Sequence, residues 1–365
     1  MKIKLFFYFA ILSTTSILFG CKPDSTSDSS QQSESSLRLS FATIPGDGES
    51  IEDFQISTTE VSNYDYALFL TEAYAIGSIT IDTNSGVIYD INGVKMTDLN
   101  GYRVIKDHNG DGNCTIDEME NPLNRNFIAF NSDTQEFYVL DPSDIDWNTY
   151  FDTNIYPGIC DQISDWAEVG NNTTGFHGEG DDDGLMPTLD EVETWPANFI
   201  TYYGAKAFAD HYAFRLPTLA EWRQAANGGQ DFDYATSDGS KDEGIAWFNI
   251  NGPSMGVAGE IHKGHVQPVE SKEPNPYGVY NMGGNVWEWV EDWYNGTEVF
   301  GMPGSKKTED FFIDESLTWE QAQGNYLKGL IGGSFNYFAD TMGLEYNHAA
   351  NANTGNDHFG FRVAK

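Results

Sequence analysis

Apolar residues between Glu52 and Ala73 change their spacing partway along. In EDFQIS they alternate, Phe54 and Ile56 flanking a polar Gln55, which predicts a short strand. Beyond Ser62 they recur at three- and four-residue intervals, Tyr66, Phe69 and Leu70, which predicts an amphipathic helix capped at Ser62 or Asn63. The helical interval returns at Ala205, Phe208, Ala209 and Tyr212. It returns again in RLPTLAEWRQAANGG, where Thr218 and Glu221 stand in the capping-box relation and Gly228-Gly229 supplies the stop. In NVWEWVEDWY the apolar places alternate, so as a strand Trp287 and Trp289 share one face and Glu288 points to the other. Trp287, Trp289 and Trp293 carry too much apolar surface for water and are core or pocket wall. Glu288 among them needs a partner, for which a cation or an arginine would serve. Polar stretches such as TSDGSKDEG, Thr236 to Gly244, predict surface loops. No internal repeat is visible, and the pattern is that of an α+β domain rich in loops.

The first residues follow a different rule. Lys2 and Lys4 precede the apolar run Leu5–Gly20, which ends just before Cys21. A charged start, a short apolar segment and a cysteine resemble a bacterial lipoprotein signal, in which the cysteine is lipidated and becomes the mature N-terminus. The run is shorter than the ~20 residues a spanning helix needs. Residues 1–20 are therefore expected to be a signal peptide. Residues 21–37, serine-rich and polar, are expected to be a flexible tether, with the folded domain over 38–365 and a location in the cell envelope.

Composition narrows the partners. The 365 residues include 56 acidic and 19 basic ones, a formal net charge of -37. Nucleic-acid phosphate and anionic headgroups are poor partners for such a surface, and cations are good ones. The lipid on Cys21 supplies the membrane contact.

One cation site is written out in DHNGDGNCTIDE. Asp107, Asn109 and Asp111 hold places 1, 3 and 5 of a twelve-residue calcium loop, Gly112 the turn at 6, Asn113 its carbonyl at 7, Thr115 the water position at 9 and Glu118 the closing place at 12. Hard Ca2+ takes six to eight oxygens, and this spacing wraps them round one point. The strand-like GYRVIK before it and Pro122 after it leave no room for paired helices, so the loop reads as structural, not as a switch. A second acidic run, Glu179 to Asp190, imitates the spacing but is broken by Pro187, and reads as a solvated loop. With Cys21 lipidated, Cys114 and Cys160 remain; they form either a disulfide, stabilising by about 4 kcal/mol in the chain-entropy model, or two free thiols.

RLPTLAEWRQAANGG, NPYGVYNMGGNVWEWVEDWY, IGGSF and the late GFRV, with the early FQISTTEVSNYDYALF, resemble the formylglycine-generating enzyme (sulfatase-modifying factor) family in content and order. The likeness runs from about Phe54 to Lys365, interrupted by an insertion of about 77–194 that contains the calcium loop. It implies a single α+β domain of low regular secondary structure, related to the C-type lectin fold.

The same resemblance places family calcium ligands on Asn281, on the backbone oxygens of Gly284 and Val286, and on Glu288. It places the start of a second calcium site on Asn249 and Ile250, whose later acidic ligand has no clean match near Glu260 and Ile261. Arg215 and Arg362 fall where the family anchors buried carboxylates. Ser334 becomes a hydroxyl on the groove floor.

Oxidising members carry two cysteines after GGSF that hold Cu(I), a soft metal suited to thiolates. Those places align with Tyr337 and Met342, so no copper is expected. The resulting expectation is a calcium-stabilised binding or scaffold module on the envelope. It would present Glu345–Arg362 to a protein or glycan partner. The alternative is an oxidoreductase of the same family using non-haem iron or another metal, with His262, His265, His348 and His358 as the available imidazoles.

Overall fold

The computed structural model describes residues 36–100, 103–105, 119–122, 126–144, 187–242, 244–248, 266–293, 327–335, 337–346 and 348–365. The calcium loop 107–118, Cys21, Cys114, Cys160, Asn249, Ile250, His262 and His265 lie outside these residues. Among the described residues no helix is long and apolar enough to cross a membrane.

The chain opens with an antiparallel pair, β1 (Phe41–Ile44) and β2 (Phe54–Ser57), in the register Ala42 to Ile56. Helix α1 (Asn63–Ala75) follows, and its cap is Ser62, whose Oγ accepts the Asp65 amide at 3.2 Å. Tyr66, Phe69 and Leu70 are buried as their spacing predicts.

The inserted region is built into the domain and does not hang from it. Strands β3 (Ile79–Asp82), β4 (Val87–Asp90) and β5 (Lys95–Asp98) form one antiparallel sheet. Two hairpins follow, β6 (Arg103–Ile105) with β7 (Met119–Pro122), and β8 (Ile128–Asn131) with β9 (Glu136–Val139). Ile79, Ile88, Met96, Phe127, Ile128 and Phe137 enter the same apolar cluster as α1. The Phe137 amide donates to Thr71 Oγ1 on α1 at 2.8 Å, which fixes the β8–β9 hairpin on the helix.

Three further helices come next: α2 (Leu189–Glu193), α3 (Tyr202–His211) and α4 (Leu219–Asn227). The end of the second acidic run, expected to be loop, starts α2, because Thr188 and Glu191 form a reciprocal capping box. The same device starts α4: Thr218 Oγ1 accepts the Glu221 amide at 3.2 Å while Glu221 accepts the Thr218 amide at 2.8 Å. Arg215 clamps that carboxylate with two bonds of 2.7 Å. Gly228, in the left-handed region at φ 63°, ends α4 where the sequence places the stop.

The last sheet organises the rest. Its order is β12 (His348–Asn351), β11 (Leu327–Ile331), β10 (Trp287–Trp293), β13 (Phe359–Gly360). Strands β10 and β11 are antiparallel, with Glu288 opposite Ile331 and Trp289 opposite Leu330; β13 lies parallel to β10. Alternation along β10 sends Trp287 and Trp289 into the cluster made with α1, α3 and the inserted strands. Val290, next on the other face, joins Ile331, Trp222 of α4, and Ile44, Phe54 and Ile56 of β1 and β2. Strand β10 is thus a partition between two cores. The final segment is threaded through both: Phe361 O accepts from Val61, Val363 O from Ser57, Ala364 exchanges two bonds with Arg215, and Lys365 pairs with Gln55.

Helix α3 approaches β5 at Gly204, where a Cβ would lie 2.3 Å from the Met96 carbonyl oxygen. Gly204→Ala is expected to cost about 1–3 kcal/mol through this overpacking, read as a lower urea midpoint with an unchanged far-ultraviolet spectrum; a neutral result would mean that the helix shifts freely.

Candidate functional site

The polar centre of the molecule lies on the Glu288 side of β10. Glu288 and Arg362 have side chains 1% and 0% exposed and meet through two bonds: Arg362 Nε donates to Glu288 Oε2 at 2.6 Å and Nη2 to Oε1 at 2.7 Å. Trp222 Nε1 donates to Oε2 at 2.7 Å. Two of the three remaining guanidinium hydrogens go to carbonyls, Ser57 O at 3.2 Å and Tyr280 O at 2.9 Å. A buried charge is tolerable only when paired and hydrogen-bonded, and this one is both. Arg362 supplies the arginine that the aromatic surroundings of Glu288 called for.

A second buried carboxylate was not legible in the sequence. Glu60, fully buried, accepts from Asn285 Nδ2 at 3.0 Å and Asn281 Nδ2 at 3.4 Å. Burial, with the nearby Glu288 carboxylate adding to it against the pull of Arg362, raises its pKa to about 8. Asn281 and Asn285 turn their amides inward from left-handed backbone at φ 48° and 60°. Such conformations suit asparagine better than most residues. Asn285 Nδ2 also reaches Gln267 O at 3.1 Å, and Asn281 Nδ2 reaches Val269 O at 3.1 Å.

This geometry bears on calcium held over 281–288. Gly284 lies against Trp247, where a Cβ would come within 2.4 Å of the Trp247 carbonyl oxygen, and Val286 is core. Glu288, the single carboxylate of that expected set, has both oxygens engaged by Arg362 and Trp222. The residues present do not fit a cation held through that carboxylate, because its charge is already answered. Among the described residues no three or more His, Cys, Asp and Glu side chains group so as to hold a metal.

Across the partition lies the GGSF turn. Ser334 is fully buried, and Phe335 and Tyr337 belong to the cluster of Trp287. The Tyr337 ring packs edge-on to Trp287 at 5.3 Å between centroids and stands 6.0 Å from His348 and 5.5 Å from His358. Burial holds its phenol protonated well above the usual range. Met342, the other place where the family carries a thiol, sits in a separate cluster with Ala246 and Phe248. The two positions offer a phenol and a thioether in separate clusters, so they cannot form a two-thiolate Cu(I) site.

Two imidazoles border the same turn. His358 Nδ1 meets Asp357 Oδ1 at 2.6 Å, both buried. His348 is half-buried on β12; burial and the facing His358 lower its pKa to about 4, so it is neutral at neutral pH. The stretch 345–362 is not a freely presented loop. Among its described residues only Glu345 and Thr354 are exposed, and β12 and β13 anchor it to the sheet at both ends.

A buried arginine–glutamate clamp behind a glycine-rich turn, in an α+β frame of short strands, defines a formylglycine-generating-enzyme-like domain. The chain belongs to the sulfatase-modifying factor enzyme 1-like domain family, whose match spans residues 24–365. It is similar to the serine/threonine-protein kinase pkn1 of Chlamydia pneumoniae, 30% identical over 47% of this chain and 24% of that protein. It is also similar to the formylglycine-generating enzyme of Thermomonospora curvata, 32% identical over 47% of this chain and 57% of that one. The chain thus spans a quarter to somewhat over half the length of these relatives. Among solved structures, CarF superposes with a TM-score of 0.42 at 16% identity, over 90% of this chain and 98% of that one.

Two measurements probe the polar centre. Arg362→Met leaves Glu288 buried and unpaired, and is expected to cost about 3–5 kcal/mol in urea unfolding; a loss below ~1 kcal/mol would show the clamp to be dispensable. Glu60 has a folded pKa above its unfolded one, so the folded state holds an extra proton between about pH 4.5 and about 8. Its contribution to stability is fully present below that window and is lost as pH rises through it. Glu60→Gln is expected to flatten the fall in Tm from pH 5 to 9, and an unchanged slope would assign the proton elsewhere.

Proposed function

We propose that the protein is an envelope-anchored lipoprotein whose domain binds a protein or glycan partner and has given up thiol-based oxidation. Lipid on Cys21 would tether it, and calcium in the loop Asp107–Glu118 would staple the insertion. The observation that carries the non-oxidase reading is the filling of the family's thiol positions. Tyr337 is wedged against Trp287, and Met342 lies in a different apolar cluster. A substrate thiol approaching GGSF would meet a phenol, with the Met342 thioether packed in a different cluster, and neither can supply the paired thiolates that the family's oxidation uses. What stays intact is the rigid frame, which suits recognition more than chemistry.

A second reading has one observation in its favour. The Asp357–His358 pair resembles the carboxylate-backed imidazoles that stand behind metal ions in metalloenzymes. Under it, the domain would be an oxidoreductase holding iron or another metal near His348 and His358.

Plasma mass spectrometry on the full chain, purified without added metal and then titrated with calcium, separates the two. The binding-module reading expects at least one calcium, lost on Glu118→Ala, and no stoichiometric iron or copper. One retained iron or copper that disappears in His348→Ala would overturn it. In cells, Cys21→Ser is expected to move the protein from the membrane fraction to the soluble one, and an unchanged distribution would remove the lipid anchor from the proposal.

A further inference from the structure

Two buried polar atoms near GGSF lack any hydrogen-bond partner: Trp287 Nε1 and His348 Nδ1. They sit on neighbouring rings, 4.9 Å between centroids and tilted by 35°. Trp287 is 0% exposed, and an indole N–H can only donate. Folding rarely leaves such atoms unmet, because each forfeits the bond it made to water. Three other tryptophans show the ordinary solution by contrast: Trp222 donates to Glu288, Trp247 to Ser271 and Trp289 to Ile200.

The surroundings select what the missing partner is. The walls are aromatic: Tyr337 lies edge-on to Trp287, and Tyr346 is tilted by 32° to it at 5.8 Å. An anion would face the buried Asp357 carboxylate beside His358, and a cation would compete with the indole N–H that must donate. An uncharged group with an acceptor and a donor side by side satisfies both atoms: its oxygen takes the indole proton, and its N–H gives to the imidazole. A hydroxyl presents both functions at one point; a carboxamide presents them at two, matching two atoms on separate rings.

We propose that Trp287 and His348 form a subsite for a neutral carboxamide, the side chain of an asparagine or glutamine on the bound partner. In this arrangement His348 is the Nε2–H tautomer with Nδ1 accepting. The inference rests on the binding-module reading and supplies the first element of its specificity.

Acetamide is the probe. In the full chain labelled with 15N at the tryptophan indoles, assigned by the signal missing from Trp287→Phe, the Trp287 N–H resonance is expected to move saturably with acetamide. Acetate at matched ionic strength should produce no saturation. His348→Phe, at a half-buried place, should keep the melting temperature within a few degrees and abolish the saturation. Should Trp287→Phe fail to fold, the resonance perturbed by His348→Phe identifies the same indole. No saturable shift with acetamide, with the indole proton exchanging with bound water, would make the site a hydration site and overturn the proposal. Saturation by acetate would equally overturn it in favour of an anion. Metal content is unaffected by any of these outcomes, so failure here leaves the metal test of the broader reading standing.

Discussion

The bidentate pair between Arg362 and Glu288 is the constraint on which the other contacts rest. Buried on both sides, it has no water to fall back on, so every group that satisfies it must be in place at once: the Trp222 indole, the Ser57 and Tyr280 carbonyls, and the strand that carries Glu288 itself. These groups come from α4, β2, the turn before β10, β10 and the segment after β13. A set of short strands that would be marginal singly is thereby committed to one arrangement. The pair contributes little net stability by comparison with apolar packing, but it excludes alternatives, because any misplacement strands a charge.

Strand β10 converts that local requirement into architecture. Its alternation gives Glu288 and Val290 to one core and Trp287 and Trp289 to the other, so the charged clamp and the aromatic turn around Tyr337 are back to back on one backbone. A change in how the aromatic side is filled can then leave the clamp intact. This separation is the physical reason that a frame can persist while the residues at the thiol positions become Tyr337 and Met342.

Much of this was legible in the sequence, for identifiable reasons. Helix α4 announces itself by Thr218, Glu221 and Gly228, because caps are local chemistry and need no knowledge of the fold. The same logic applied to Thr188 and Glu191 would have found α2, which the surrounding acidic residues disguised as loop. The alternation of Trp287, Glu288 and Trp289 was enough to demand a partner for Glu288, and the late GFRV motif marked Arg362 as an anchor. The burial of Glu60 was not legible, since its neighbours Thr59 and Val61 give no period; it is fixed by Asn281 and Asn285, more than two hundred residues away. Nor could spacing show that the inserted strands share the main core. That depends on the contact of Phe137 with Thr71 across the chain.

The threading of the last segment bears on how the molecule comes into being. Phe361, Val363, Ala364 and Lys365 supply backbone partners to Val61, Ser57, Arg215 and Gln55, and Arg362 sits between them at the centre. The earliest strands therefore keep an edge unpaired, and Glu288 lacks its counter-ion, until residues 361–365 are in place. Until then the edge of β2 is open to mispairing, and it is this edge that a holding chaperone would have to protect.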